Sequence, residues 1–180
     1  GARRLETVIK PEMFEKETPE TVRQLWLSFH YNKPSCVAWT LTKEQYESIS
    51  KRMKQHPNFI LPLTSEADSV VMLVQCQVCC MWPVNAPING KSVEDAPAAL
   101  VLTLYDDLVH TKETCLMRAE ILNQASVMKA DAERLLTTLL MFYEFDADYE
   151  AYVRVFNATP AKFDLEGFLA MCRSRARKVA

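Results

Sequence analysis

Cysteine is the residue type with the most chemical promise in this chain, which holds six of them. Cys76, Cys79 and Cys80 stand close together, and Cys115 or a histidine is available as a fourth ligand. That is raw material for zinc, but a structural zinc site needs a second close pair at similar spacing, and none follows. Residues 70–82 also alternate as a strand, which sends positions 76 and 79 to opposite faces. The plain reading is cysteine used as a small buried apolar side chain, so no metal is expected. Irregular spacing in a chain with a sizeable core points to thiols and not to a disulfide framework. His30, His56 and His110 fall at a helix end, before a proline and in a loop, positions that suit capping or exposure. No serine has the flanking glycines of a nucleophile elbow. Asp106 with Asp107, and Asp146 with Asp148, are paired acids of the kind used in general acid–base work; in loops such pairs usually serve solvation or helix capping. Arg118 and Glu120 share one strand face, which makes a structural ion pair the default and a partner contact the sharper alternative. No catalytic residue and no cofactor site emerges.

The elements that position these groups centre on residues 97–122. Ala98, Leu100, Leu102 and Leu104 alternate with Ala99, Val101, Thr103 and Tyr105. Cys115, Met117, Ala119 and Ile121 alternate with Leu116, Arg118, Glu120 and Leu122. A period of two is a strand signature. The polar residues Asp106, Asp107, His110, Lys112 and Glu113 between the runs reverse the chain. An antiparallel pair with one fully apolar face is predicted.

Before this pair, residues 1–16 show no clean period and read as an N-terminal arm. Thr18 and Pro19 open a helix that carries Val22, Leu25, Trp26 and Phe29 at helical spacing and ends near Tyr31. Residues 37–41 read as a strand. Thr42 and Gln45 form a capping box for a helix that stops before Pro57. Residues 59–63 are a short strand whose Pro62 implies a sheet edge or the strand's end. Residues 70–82 read as one long strand with a bend, and residues 83–97 as a loop. After the central pair come a helix in 126–144, a shorter one capped by Asp148, and a last one capped by Asp164. The layout is α+β: a mostly antiparallel sheet with helices packed on one face, in a single domain over residues 17–180.

Composition agrees. The chain of 180 residues is 49% hydrophobic and 24% charged, a globular balance. A formal net charge of −2 supplies no field that recruits nucleic acid or anionic lipid. The basic tail, Arg173 to Lys178, lacks interleaved aromatics. No apolar run approaches the ~20 residues of a membrane helix, so no membrane insertion is expected. Only three glycines occur, and none cradles a phosphate. The chain does not open on Met, so residue 1 is read as lying after the translation start.

Several segments carry a resemblance. Ala96-Pro97-Ala98-Ala99-Leu100, Leu102-Thr103, Tyr105, Asp107-Leu108 and Leu116-Met117-Arg118 with Glu120 resemble the signature segment of the mitochondrial assembly chaperones for the β subunit of F-type ATP synthase. Glu17 to Thr21 with Trp26, then Lys33 to Cys36, resemble the family's opening. Phe59 to Leu63 is similar to its proline-containing strand, and Phe142-Tyr143, Val155-Phe156-Asn157, Pro160 and Phe163 to its closing part. Departures are Thr64 for a proline, an aliphatic 69–75 where the family is aromatic, and Ala119 where glycine is frequent.

The resemblance implies a non-enzymatic chaperone of the mitochondrial matrix, without cofactor or small-molecule substrate. It would hold the unassembled β subunit until the αβ ring forms. A permanent structural subunit of another large mitochondrial complex on the same fold is the alternative. Contact requires apolar or aromatic anchors beside polar groups. The candidates are Trp82, Pro83 and Pro87, the turn residues Asn157, Pro160 and Phe163, and Arg118 with Glu120. Trp82 reads equally well as core, and the turn as a helix stop.

Overall fold

Strand β6 (Thr114–Ile121) is buried along almost its whole length, and the other elements are arranged around it. It pairs antiparallel with β5 (Leu100–Tyr105), from Leu100 opposite Ile121 to Tyr105 opposite Leu116. The computed structural model describes residues 4–63, 70–76, 80–84 and 98–179. The connection between β5 and β6 holds a short helix, α4 (Val109–Lys112), and ends on Glu113 in a left-handed conformation, φ 51°. On its other side β6 pairs with β1 (Cys36–Thr42).

Beyond β5 lie β4 (Cys80–Val84), β3 (Val71–Gln75) and β2 (Asn58–Pro62). The sheet order is β1-β6-β5-β4-β3-β2, antiparallel throughout. Pro62 therefore sits on an edge strand, as its missing N–H requires. The single strand expected over 70–82 is instead the hairpin β3–β4, with Gln75 opposite Cys80. Thirteen residues are too long for an ordinary strand, and here the excess becomes a reversal.

The helices follow their sequence signals. Thr18 caps α2 (Pro19–Tyr31), its hydroxyl accepting from the Thr21 N–H at 3.2 Å. The Thr42–Gln45 capping box opens α3 (Lys43–Gln55), with reciprocal bonds of 3.2 and 3.0 Å. Helix α5 (Lys129–Glu144) lies on the main face of the sheet through Leu135, Leu136, Leu139, Leu140, Phe142 and Tyr143. There it meets Cys115, Met117, Ala119 and Ile121 of β6. Helices α6 (Asp146–Asp148) and α7 (Arg154–Ala158) run on from it through a π-helical turn, Tyr149–Val153. Asp148 lies inside this stretch and does not cap it; its carboxylate accepts two bonds from Arg175, at 2.7 and 2.8 Å. Asp164 does cap α8 (Leu165–Val179), accepting from the Gly167 N–H at 3.0 Å.

A smaller core lies on the opposite face of the sheet. Val22 and Trp26 of α2, Leu5, and Phe14 of α1 (Glu12–Glu15) pack there on Tyr105, Leu108 and Leu116. Leu5 and Phe14 belong to the segment expected to form an arm. Trp26 Nε1 donates to the Met117 carbonyl at 3.1 Å, and Arg23 to the Thr114 hydroxyl at 3.2 Å, so α2 is tied directly to β6.

Leu139 is 1% exposed in the main core. Leu139→Ala should lower unfolding stability by about 2–5 kcal/mol through the cavity it leaves, measured by urea denaturation.

Candidate partner interface

Strand alternation sorts the sequence-predicted contact residues. Arg118 stands opposite Ala38 and Thr103, and Glu120 opposite Cys36 and Val101. Both lie on the face opposite the main core, where their side chains form an ion pair of 3.0 Å and are half-buried. Position 82 lies in the row of Ile60 and Leu73, and by the register that row belongs to the same face as Arg118 and Glu120. Pro83 lies past the last β4–β5 pair, Met81 with Leu100, where a missing N–H costs no bond to β5. Pro87 lies outside the described residues.

The turn residues sit elsewhere, beside the β2 edge, and are occupied with the fold. Asn157 Nδ2 donates to the Asn58 carbonyl at 2.6 Å and to the Val153 carbonyl at 2.8 Å, and its Oδ1 accepts from the Asn58 N–H at 3.1 Å. Phe163 packs on Phe156 at 5.1 Å and Phe168 at 5.4 Å, within the aromatic cluster around Phe59. Pro160 opens an exposed 3₁₀ turn.

Titratable groups serve packing. Burial pushes the Cys76 thiol up to about 11 and Cys115 up to about 12, so neither is a ready thiolate or metal ligand. Cys76 Sγ donates to the Tyr143 hydroxyl at 3.5 Å. The strand alternation invoked against a Cys76–Cys79 pair does not hold, because the chain turns between Gln75 and Cys80. Cys79 lies outside the described residues; among those described, no cluster of three His, Cys, Asp or Glu is disposed to hold a metal. Asp106 accepts from the Tyr46 hydroxyl at 2.9 Å, and Asp146 pairs with Arg52. Asp106, Asp146 and Asp148 are thus structural partners, and Asp107 is exposed.

His30, in the last turn of α2, is buried on the sheet side of that helix, its Nδ1–H donating to the Trp26 carbonyl at 2.8 Å. Its Nε2 and the Nε of Arg118 have no hydrogen-bond partner among the described residues. Burial pushes the imidazole down to about 4 against the pull of the Trp26 bond, and the positive charges of Lys33, Arg118 and Lys129 add to the lowering.

A groove on the main face was not foreseen. Val37, Ala38 and Trp39 of β1 and Glu133, Leu136, Thr137 and Leu140 of α5 line a cavity of about 250 Å³. Trp39 is 51% exposed there, a large loss of burial for an aromatic in a strand. The apolar lining and single carboxylate suit a side chain of a partner and offer no constellation for a reaction.

Two comparisons with known proteins place the chain as a whole. A family model described as ATP11 protein matches residues 1–169. A zebrafish (Danio rerio) protein named ATP synthase mitochondrial F1 complex assembly factor 1 is 24% identical over 166 residues, covering 88% of this chain and 52% of that protein. The chain thus spans about half the length of that curated relative.

Between pH 6.5 and 4 the unfolded chain binds a proton at His30 that the folded chain refuses, so stability falls as pH drops through that window, by up to roughly 3 kcal/mol. Urea unfolding across this range should show that part of the slope missing in His30→Gln. Asn157→Ala should cost about 0.5–1.5 kcal/mol, since it strips the side-chain partner from both backbone groups of Asn58, which lie exposed enough for water to replace it; urea midpoints and faster Asn58 amide exchange report it.

Proposed function

The chain belongs to the ATP11 protein family, and on that basis we propose that it serves the assembly of the F1 sector of mitochondrial ATP synthase as a non-enzymatic chaperone. Its client in this reading is the unassembled β subunit, held in the mitochondrial matrix until the αβ ring forms. The observation that carries the reading is the likeness, over 88% of this chain, to a protein named for F1 complex assembly. A holding chaperone works by surface: it must offer apolar area in place of the subunit interface its client lacks. Trp39 beside the groove, and Leu25, Leu27, Phe29 and Tyr31 on the two flanks of the buried stripe of α2, are large hydrophobic residues left exposed. The Cys76 and Cys115 thiols, Asp106, Asp146, Asp148 and the buried imidazole are occupied by packing and pairing within the fold, so no reaction is assigned to them.

The test uses purified F1 β subunit diluted from urea in the presence of this protein. Light scattering should stay low at equimolar ratio, and the two chains should co-elute on size exclusion. Precipitation of β at its unassisted rate, with no co-elution, contradicts the reading.

A further inference from the structure

The two edges of the sheet are finished differently. In an antiparallel ladder alternate residues turn both backbone groups towards the partner strand, and those between turn both outward. For β2 the phase is set by the Leu63 N–H donating to the Val70 carbonyl and the Cys76 N–H to the Pro57 carbonyl, both at 2.7 Å. Asn58, Ile60 and Pro62 therefore face outward. The Asn157 side chain takes both groups of Asn58, and Pro62 has no N–H to offer. This edge is largely closed to further pairing.

For β1 the phase is set by the Ile121 N–H donating to the Ser35 carbonyl at 2.8 Å and the Lys43 N–H to the Glu113 carbonyl at 3.1 Å. Cys36, Ala38, Thr40 and Thr42 face outward. The first N–H is taken by the Lys33 carbonyl at 3.5 Å, and the last by Gln45 Oε1 at 3.0 Å. That leaves Ala38 and Thr40, about 7 Å apart, presenting N–H and C=O at the edge. Among the described residues no strand lies beyond β1. The strand, Cys-Val-Ala-Trp-Thr-Leu-Thr, carries none of the charges or prolines that normally guard an edge. The groove lined by Trp39 and α5 opens beside these two residues on the main face.

We propose that the β1 edge and the groove beside it form one docking site that receives an extended segment of the client as an added strand. The client is the unassembled F1 β subunit, so this rests on the function proposed above. The occupant follows from complementarity. Outward N–H and C=O groups at strand spacing are matched by another extended backbone. The apolar cavity takes one aliphatic or aromatic side chain of that segment, which packs on Trp39, Leu136 and Leu140. Glu133 at the rim favours a lysine or arginine close to that anchor and disfavours an acid. A chaperone that pairs with a strand of its client also covers the backbone groups by which unassembled chains aggregate.

The test compares the full chain with Ala38→Pro and Thr137→Trp. Proline at position 38 removes an outward N–H without touching the β6 ladder. Thr137 is exposed, and its hydroxyl only bonds the Glu133 carbonyl of its own helix at 2.9 Å; tryptophan there fills the groove. The probe is purified F1 β subunit diluted from urea, read by co-elution and by amide exchange. A tenfold or greater loss of β binding in both variants, with unchanged circular dichroism, and new protection of the Ala38 and Thr40 amides in the wild-type complex are expected. If Ala38→Pro unfolds, Thr137→Trp and the amide protection decide. If both variants bind β like the wild type, the docking site is wrong and the chaperone reading stands. If the wild type binds no β, the function fails and this occupant with it. If the wild type is instead a dimer that Ala38→Pro dissociates, the edge belongs to a second copy and the proposal is overturned.

Discussion

Burial of β6 on both faces is the constraint on which the structure depends. Thr114, Cys115, Leu116, Met117, Ala119 and Ile121 are all cut off from water, so the backbone of this strand cannot fall back on solvent. Its N–H and C=O groups must be met by β1 and β5, which fixes three strands at once. Its side chains then set the layers. The odd-numbered residues demand the cover of α5, and Leu116 demands that of α2. The bonds from Trp26 and Arg23 into β6 anchor the second layer in register.

Local signals were legible wherever one residue type had one physical use. Thr18 with Pro19, Thr42 with Gln45, and Asp164 each ended up capping the helix they announced. Pro62 marked an edge strand because only an outward position dispenses with the N–H. The antiparallel central pair was legible because the connection over residues 106–113 is too short for a usual crossover. The hairpin within 70–82 was not. One face there is wholly apolar and the other is broken only by Gln75 and Gln77, so the alternation runs on through the reversal, and residues 76–79 contain no glycine, proline or asparagine to announce it. Leu5 and Phe14 gave no period by which burial could be inferred.

The contact residues were harder for a related reason. Arg118, Glu120 and position 82 share a face only through pairings distant in sequence, while Asn157 and Phe163 turned out to hold β2 and the aromatic cluster. The groove beside Trp39 exists because β1, first in sequence order, is last in the sheet, and because α5 crosses the sheet within reach of it. No local pattern encodes that. What was visible was an uncharged strand containing an aromatic, an unusual composition for an edge. One edge largely closed by Asn157 and Pro62, the other bare beside an apolar cavity, is the asymmetry from which the proposed docking site is argued.

What this surface holds in its own compartment decides whether the protein is a chaperone of the β subunit. The direct measurement is affinity purification of the tagged full-length protein from native mitochondria, with identification of the chains recovered. Unassembled F1 β subunit is expected in excess over α and over the remaining ATP synthase subunits, decreasing when ring assembly is allowed to proceed. Stoichiometric recovery of a different large complex, with no enrichment of β, would contradict it.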